Sequence, residues 1–379
     1  MLPRPMPIDE RDLALLQRAV DLAERGRRTA SPNPMVGAVV ARDGRPLGEG
    51  WHERPGGPHA ERAAIADCGD ADPAGATMYV SLEPCCHQGR TPPCTDAILQ
   101  AGIRRVVVAA GDPSEKVAGR GLGILRDEGV AVDVAAPDSA VGRAARLQNQ
   151  PFRKHARTGI PWVMLKAAAS LDGRLATHTD DSRWISGVAS RELAHQWRAD
   201  VDAVVVGIGT ALADDPLLTA RVPGVERQPR RVVFDSEARL PLTSRLVTSL
   251  DEAPVTVVAS RAAPRSATDA LESSGVEVVV AAGANEHSRV RSGLESLGQR
   301  GVTSVMIEGG SHLAGACFDA GMIDELRLFV APIIVGGRQA PGVLGGQGVE
   351  RIADAVRPVE LSRTTVGDDL LTVARIKEW

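Results

Sequence analysis

Hydrophobic and polar positions follow two different periods along this chain, and their order predicts an α/β protein. Between Leu13 and Ala23, apolar side chains recur at the spacing of an amphipathic helix, with Asp9 placed to cap it and Gly26 to end it. Short apolar runs, rich in valine and alanine, have the length of buried strands. In the first part of the chain we predict such strands at 36–40, 77–82, 104–110 and 130–134.

Helical patterns lie between these predicted strands, at 60–68, from 92–96 onward and at 122–128. Because strands and helices alternate, we predict a three-layer α/β/α sandwich for this part of the chain. A basic helical stretch follows at about 138–159. Its charges indicate a solvated linker helix rather than a binding patch.

The second half of the chain is richer in strand patterns. Helical patterns separate them at 190–198, 289–297 and 313–320. The strands are predicted at 162–168, 203–206, 231–234, 255–259, 276–280, 304–307 and 326–330. We therefore predict two α/β domains, covering 1–146 and 147–379.

Composition narrows the class of partner. The chain has 379 residues, of which 43% are hydrophobic and 24% charged. A chain of this length and hydrophobic content can form two hydrophobic cores. A formal net charge of −4 and only 3% aromatic residues disfavour nucleic acid and favour a small-molecule substrate. Five cysteines in a chain of this length do not indicate a disulfide framework. Without an apolar leader or an 18-residue apolar run, we expect a cytoplasmic protein that is not bound to a membrane.

One short region carries the residues of a metal site. His59 and Glu61 stand two positions apart at the start of a predicted helix, and thiols follow at Cys85, Cys86 and Cys94. An imidazole and two thiolates can hold zinc with one open position, beside which a carboxylate that is not a ligand moves protons. H-x-E followed by P-C is the pattern of zinc-dependent base deaminases. The sequence therefore predicts a hydrolytic zinc site.

The spacing of the thiols departs from the P-C-x-x-C pattern, because the next thiol after Cys85 and Cys86 is Cys94. Adjacent side chains diverge, so we assign zinc to His59, Cys85 and Cys94, with Cys86 as the weaker candidate. The alternative is a structural zinc site or inert buried thiols. A closed structural site normally needs four protein ligands, and Cys86 or His87 fits poorly as the fourth.

Turns rich in polar residues and glycine mark further candidate contacts. Asn33 lies in a proline-rich turn and is a candidate substrate contact, although a plain turn residue is the simpler interpretation. Arg90 lies in the polar insert before Cys94 and is suited to contacting an anionic group. In the second half, small residues follow predicted strands at 170–174, 207–216 and 308–315. Such turns admit phosphate at a helix N-terminus, so together they favour a nucleotide pocket, although none is a G-x-G-x-x-G.

Taken together, the motifs resemble one family over nearly the whole chain. The first half contains N-P-x-V-G, H-A-E and E-P-C-x-x-x-G-R-T-P-P-C, and the second contains K-x-x-x-S-L-D-G-R, T-x-L-A-D-D-P-x-L-T-x-R and E-G-G. In this order they closely resemble the bifunctional deaminase/reductase family of riboflavin biosynthesis. A Cys at position 86, where many relatives carry Ser, departs slightly from the pattern.

The resemblance implies a cytidine-deaminase-like three-layer α/β/α domain followed by a dihydrofolate-reductase-like α/β domain. It implies that the first domain uses Zn²⁺ to deaminate a phosphoribosylated diaminopyrimidinone to the aminouracil. It implies that the second uses NADPH to reduce the ribosyl group of that product to ribityl.

Roles carried over by the resemblance place the metal on His59, Cys85 and Cys94 and proton transfer on Glu61. The positions that match NADP-contacting residues are Ala168, Trp184, Thr210, Asp214, Ser236, Gly310, Ser311, His312, Leu313, Ala314, Gly315 and Ala316. The positions that match substrate-contacting residues are Asn33, Ser182, Arg198, Leu218, Arg221 and Glu308.

Within that substrate set, Arg198 and Arg221 are suited to holding the ribose phosphate bidentately. Lys166 and Asp172 belong to the motif without an assigned role. Glu308 and Asp172 are the two carboxyls that could assist opening of the ribose ring.

Two other functions fit parts of the pattern. One is a nucleoside or tRNA deaminase fused to an unrelated nucleotide-binding module, although the long cysteine insert and acidic balance disfavour it. The other is a zinc-stabilised scaffold without catalytic activity, which metal analysis and an NADPH-consumption assay would distinguish. We also expect the protein to be a homo-oligomer.

Overall fold

A computed structural model of the chain describes residues 7–88, 92–115 and 117–379. The chain divides into two compact units. The first is Met1–Thr158 together with Trp379, and the second is Gly159–Glu378. No helix among these described residues is long and apolar enough to cross a membrane.

The first unit is built on a five-stranded sheet in the order β2-β1-β3-β4-β5. Its strands are β1 (Gly37–Arg42), β2 (Arg45–Trp51), β3 (Thr77–Val80), β4 (Arg105–Val108) and β5 (Ala131–Val134). Its helices are α1 (Glu10–Ala23), α2 (Ala60–Asp67), α3 (Cys94–Gln100), α4 (Arg120–Asp127), α5 (Ala140–Gln148) and α6 (Gln150–Thr158). β1 runs antiparallel to both neighbours, and β3, β4 and β5 are parallel.

Two apolar layers enclose this sheet, which confirms the predicted three-layer sandwich. Side chains alternate between the faces of a strand, so Val40 packs with α2, α3 and α4 on one face. Val39 packs with α1 and α5 on the other. Both valines are fully buried.

Strand β2 was missed by the sequence pattern, because it contains a proline and two glycines, which are disfavoured within strands. The structure gives the reason for the glycines. A Cβ atom on Gly48 would lie 2.3 Å from the Ala64 carbonyl oxygen, and one on Gly50 would lie 2.5 Å from the Ala64 nitrogen. The glycines let α2 approach the sheet closely, and the N-cap of α2, His59, belongs to the metal cluster described below.

A buried charge network stabilises this unit. Arg105 donates to both carboxylate oxygens of Asp12, at 2.9 and 2.8 Å, and to Asp133 at 2.7 Å. The Tyr79 hydroxyl also donates to Asp12, at 2.7 Å. Burial alone would raise the pKa of Asp12, but the hydrogen bonds from Arg105 and Tyr79 outweigh it and the pKa is lowered.

We expect Asp12→Asn to lower the free energy of unfolding at neutral pH and to flatten its dependence on acid. Because the folded-state pKa of Asp12 is depressed, its contribution is present above the unfolded-state pKa of about 3.9 and is lost as the pH falls below it. Urea unfolding between neutral pH and the lowest pH at which the protein stays folded measures this. Asp127→Asn, at an exposed carboxylate of α4, is the control. An Asp12 variant with the wild-type pH dependence would contradict the prediction.

The second unit is built on a nine-stranded sheet in the order β10-β9-β8-β7-β11-β6-β12-β14-β13. Its strands are β6 (Trp162–Ala169), β7 (Ala203–Gly207), β8 (Arg230–Phe234), β9 (Val255–Ser260), β10 (Glu277–Ala281), β11 (Ser304–Glu308), β12 (Glu325–Val330), β13 (Glu360–Val366) and β14 (Asp369–Arg375). Its helices are α7 (Val188–Asp200), α8 (Ile208–Asp214), α9 (Arg245–Thr248), α10 (Arg265–Ser273), α11 (Glu286–Gln299) and α12 (Ser311–Asp319).

The strands from β10 to β12 are parallel, and β14 and β13 add an antiparallel hairpin at one edge. The predicted strands β6 to β12 and the helices α7, α11 and α12 are confirmed. Helices α8, α9 and α10 and the hairpin were missed. β13 is largely exposed, so it lacks the apolar alternation that marks a half-buried strand.

The prediction of a single solvated linker helix at about 138–159 is wrong in two respects. It forms two helices, α5 and α6, which meet at Asn149. Arg153 and Lys154 are buried rather than solvated. Arg153 donates to the carbonyl oxygens of Trp379 at 2.6 Å and Gly111 at 3.1 Å, so these charges serve packing within the first unit.

Candidate active sites

Three predicted metal ligands meet at one point in the first unit. His59 Nδ1 lies 3.2 Å from Cys94 Sγ and 3.4 Å from Cys85 Sγ, and all three donor atoms lie within 4.8 Å of one another. Within the described part of the chain, no further His, Cys or carboxylate belongs to this cluster. Cys86, the weaker candidate, is therefore not part of it.

Local structure fixes each donor. His59 is the N-cap of α2, where its backbone is extended and its side chain makes no capping hydrogen bond. Cys94 is the first residue of α3, and its amide donates to the Cys85 carbonyl at 3.0 Å. The amide of Thr95 donates to the same carbonyl at 3.2 Å. The Cys85 backbone thus satisfies the start of α3 and holds the two thiols together.

These donors fit a zinc ion. Zinc lies about 2.3 Å from sulfur and about 2.0 Å from nitrogen, and tetrahedral angles then give about 3.5 Å between nitrogen and sulfur. The observed separations of 3.2 and 3.4 Å are close to that value. Three protein ligands leave a fourth position for water, which is the arrangement of a catalytic zinc site rather than a closed structural one.

The pKa values of the two thiols are shifted in opposite directions. The hydrogen bond from Cys94, followed by that from His59, lowers the pKa of Cys85 to about 4. The same Cys85 thiolate raises the pKa of Cys94 above its ordinary value. Metal binding requires thiolates, so an ion at this point displaces the proton that Cys94 holds.

Glu61 lies in the first turn of α2 and is buried, with 3% of its surface exposed. Burial, and then the Cys85 thiolate, raise the pKa of its carboxyl. Its carboxylate also accepts a hydrogen bond from Cys94. Glu61 is therefore beside the cluster without being one of its three donors.

A cavity of about 580 Å³ opens onto the cluster and contains Asn33, His59, Glu61 and Cys85 in its wall. His52, which the sequence analysis missed, lines it too. Asn33 Nδ2 lies 2.9 Å from His52 Nε2, and His52 Nδ1 lies 3.0 Å from the Pro58 carbonyl oxygen.

Burial lowers the pKa of His52, so the ring is neutral at neutral pH. It donates from Nδ1 to Pro58, and Nε2 accepts from the Asn33 amide. No sequence signal identifies His52, because it follows the missed strand β2. Arg90, predicted to contact an anion, lies outside the described residues.

A second cavity, of about 570 Å³, lies in the second unit where the parallel strands end. Most of the predicted cofactor and substrate contacts of this unit line it. They are Ala168, Ser182, Trp184, Arg198, Thr210, Asp214, Leu218, Arg221, Glu308, Gly310, Ser311, His312 and Ala314.

The other predicted contacts lie elsewhere. Leu313 and Ala316 pack into the apolar core beneath α12. A Cβ on Gly315 would lie 2.2 Å from the Gly345 backbone, so this glycine lets a loop pack against the helix. Ser236 follows β8, two strands from β11 along the same sheet edge. It is thus separated from the glycines that precede α12.

The turn between β11 and α12 fits a phosphate group. Gly309 and Gly310 have φ angles of 67° and 78°, which favour glycine. A Cβ on Gly309 would lie 3.2 Å from the Thr210 side chain. The bare backbone and the N-terminus of α12 suit an anion such as a dinucleotide pyrophosphate, and Thr210 lies beside it.

A buried ion pair lies in the wall of this cavity. Arg198 donates from Nε and Nη2 to the two oxygens of Glu308, at 2.6 and 2.8 Å. Burial would raise the pKa of Glu308, but Arg198 outweighs it and lowers the pKa to about 2. Burial lowers the pKa of Lys166, which lies near Glu308 in the same wall.

Neither carboxyl suggested for ring opening is a proton donor at neutral pH. Glu308 is ionised for the reason just given. Asp172 accepts from the Ser170 hydroxyl at 2.6 Å and from the amides of Val335 and Gly336 at 3.0 and 2.7 Å. These hydrogen bonds lower the pKa of Asp172 to about 2. The ionised carboxylate links the turn after β6 to the loop that contains Val335 and Gly336.

Comparison with known proteins agrees with both sites. A family model described as the cytidine and deoxycytidylate deaminase zinc-binding region matches residues 9–110. A model described as the RibD C-terminal domain matches residues 161–371. The riboflavin biosynthesis protein RibD of Actinobacillus pleuropneumoniae is 38% identical over 360 residues, covering 95% of this chain and 94% of the relative. That of Escherichia coli K12 is 39% identical, covering 90% and 92%.

Solved structures give the same result. RibD of Acinetobacter baumannii aligns with a TM-score of 0.85 at 35% identity, covering 97% of this chain and 99% of that one. A Thermotoga maritima diaminohydroxyphosphoribosylaminopyrimidine deaminase/5-amino-6-(5-phosphoribosylamino)uracil reductase aligns with a TM-score of 0.80 at 32% identity, covering 96% and 98%. With both domain models in order and 38% identity over nearly its whole length, the chain belongs to the RibD family of zinc-dependent deaminases joined to NADPH-dependent reductases.

Proposed function

We propose that this protein catalyses two consecutive steps of riboflavin biosynthesis. The first is hydrolytic deamination of 2,5-diamino-6-(5-phosphoribosylamino)pyrimidin-4-one to 5-amino-6-(5-phosphoribosylamino)uracil. The second is NADPH-dependent reduction of the ribosyl group to ribityl. The observation that carries the proposal is the cluster of His59, Cys85 and Cys94, with buried Glu61 beside it, on a chain whose second unit holds a dinucleotide-sized cavity.

We assign the deaminase to domain 1–146 and the reductase to domain 147–379. His59, Cys85 and Cys94 hold Zn²⁺, and the bound ion supplies the Lewis acidity that makes water nucleophilic. Glu61 takes one proton from the attacking water and passes it to the pyrimidine ring, and then moves the second proton of that water to the amino group, which leaves as ammonia. Asn33, oriented by His52, contacts the pyrimidine.

In the reductase, NADPH supplies the hydride, and the protein aligns the opened ribose with it. The turn before α12, with Thr210 beside it, would hold the anionic groups of the cofactor, and Ser236 would be a further contact outside the cavity lining. Ser182, Leu218 and Glu308 contact the substrate. The Nε–Nη2 edge of Arg198 is committed to Glu308, so the main contact with the substrate phosphate falls to Arg221.

The fused nucleoside or tRNA deaminase is not supported, because the family match over 161–371 makes the second half a RibD reductase domain rather than an unrelated module. No disulfide joins cysteines in the described part of the chain, which supports a reducing, cytoplasmic location. We also propose a homo-oligomer, with the exposed apolar side chains Ile334, Ile352 and Val359 of the second unit as candidate contacts.

The test is to incubate the purified protein with the diaminopyrimidinone phosphate, with and without NADPH, and identify the products by mass. Without NADPH we expect the product in which oxygen replaces the amino group. With NADPH we expect a product heavier by two hydrogens. A zinc chelator should stop the first step and leave reduction of added aminouracil phosphate intact. Unchanged substrate under all conditions would refute the proposal.

A further inference from the structure

His195 lies in the wall of the second cavity, and no role has been given to it above. It is on α7, three residues before Arg198, so the two side chains lie on the same face of the helix. It is half-buried. Arg221 lines the cavity beside it and is exposed at the surface.

The imidazole of His195 contacts Arg221 directly. Its Nε2 atom lies 2.8 Å from Arg221 Nη2. A guanidinium group has only donors, so Nε2 accepts this hydrogen bond. The other ring nitrogen then carries the proton, and the ring donates to the Thr219 carbonyl. The Arg221 amide approaches Nδ1 at a longer 3.3 Å, and in this tautomer that contact is not a hydrogen bond.

The Thr219 carbonyl joins His195 to the buried ion pair. It also accepts from Arg198 Nη1 at 3.0 Å. Arg198 is in turn held by Glu308. The position of His195 is therefore fixed from one side by a buried network, while its Nε2 atom faces the exposed side chain of Arg221.

Positive charge exceeds negative charge around His195. The cavity is lined by four cations, Lys166, Arg191, Arg198 and Arg221, and by three carboxylates, Asp180, Asp214 and Glu308. The charged groups that act on His195 are Arg198, Arg221 and Glu308. Burial, and then Arg198 and Arg221, lower the pKa of His195 to about 4. The ring is neutral at neutral pH and remains an acceptor for Arg221. A surplus of cations in a cavity wall attracts an anion.

We propose that His195 is a positioning residue that holds the Arg221 guanidinium in place to bind the phosphate group of the reductase substrate. This inference rests on the proposed reductase function of the second unit. Arginine loses much rotamer freedom when it binds, and a partner that fixes it beforehand reduces that loss. A His195 that merely filled space would not affect phosphate affinity selectively.

Two substitutions of His195 distinguish a residue that positions Arg221 from one that only fills space. In His195→Asn the amide lies near the position of Nδ1, so the Thr219 contact is kept and the Arg221 contact is lost. In His195→Gln an oxygen reaches the position of Nε2, so the Arg221 contact is kept. Gln196→Ala, at the exposed next residue of α7, is the matched control.

The measurements are the KM values for the aminouracil phosphate and for NADPH, and calorimetric titration with inorganic phosphate. Loss of one charged hydrogen bond is expected to raise the substrate KM and the phosphate Kd of His195→Asn about tenfold. We expect kcat and the KM for NADPH to stay within about twofold. His195→Gln is expected to resemble the wild type.

A folded His195→Asn protein with wild-type phosphate affinity would overturn the proposal, as would equal increases in both KM values. The wild-type protein is assayed first, and no NADPH oxidation there would refute the reductase function instead. The phosphate titration still tests His195 in that case.

The pH dependence of phosphate affinity provides a second test, which does not require the asparagine variant to fold. Protonation turns Nε2 into a donor that opposes Arg221. The groups facing the ring are Arg198 from α7, Glu308 from β11, Arg221 and the Thr219 carbonyl. Phosphate affinity of the wild type should fall relative to that of His195→Gln as the pH approaches about 4. Parallel pH profiles for the two proteins would also overturn the proposal.

Discussion

Glu61→Gln is expected to lower the rate of ammonia release about 10³-fold or more, because general acid–base catalysis contributes about 10² to 10⁴ and this carboxyl carries the proton in every step. Glutamine has nearly the same shape but cannot take up and release the proton. The His59, Cys85 and Cys94 donors are unchanged, so zinc should remain bound. Zinc content, ammonia release and NADPH-dependent reduction of the aminouracil phosphate measure the three consequences.

The control for this substitution is Glu53→Gln, which neutralises an exposed carboxylate of the same unit and should leave deamination unchanged. Reduction should continue at the wild-type rate in both variants. If Glu61→Gln lost deaminase and reductase activity together while remaining folded, the assignment of separate sites would be wrong.

Glu308→Gln is expected to lower the free energy of unfolding of the second unit by about 3 kcal/mol, since removing one partner of a buried pair leaves the other charge uncompensated. Arg198 and Lys166 would lose the carboxylate that faces them. We also expect reductase kcat/KM to fall about 100-fold, because the guanidinium and ammonium groups would no longer be held in place. Urea unfolding and initial-rate kinetics measure the two effects.

Glu237→Gln is the matched control, because its side chain is 65% exposed and lies in the same unit. It should change neither quantity. A Glu308 variant with wild-type stability and activity would show that the Arg198 pair contributes nothing net, as buried ion pairs sometimes do.

Elements buried on both faces could be predicted from the sequence, and elements whose form depends on neighbours could not. The valine runs of β7 and β9 identify strands because nothing else accounts for so much apolar surface in so few residues. β2 was missed because its glycines are required by contacts with the backbone of α2, which begins 10 residues after Gly50. β13 was missed because it is an exposed edge.

The same division holds for the sites. The His59, Cys85 and Cys94 cluster followed from motif spacing, because His59 and Cys94 stand at the starts of α2 and α3 and Cys85 lies in the loop after β3. The contacts of His52 and His195 did not, because each depends on a partner brought close only by tertiary folding. The ionisation of Glu308 likewise depends on Arg198, which a motif cannot reveal.

The contacts of Trp379 affect how the first unit can be prepared as a separate fragment. It belongs to the first unit although residues 159–378 form the second. Its amide donates to Gln150 at 2.7 Å, its carbonyl accepts from Arg153 at 2.6 Å, and Lys154 lies over its ring at 5.5 Å. Cleavage after Thr158 would thus produce a fragment lacking one of its own packing groups. A peptide carrying Trp379, added in trans, is what such a fragment would need for complementation.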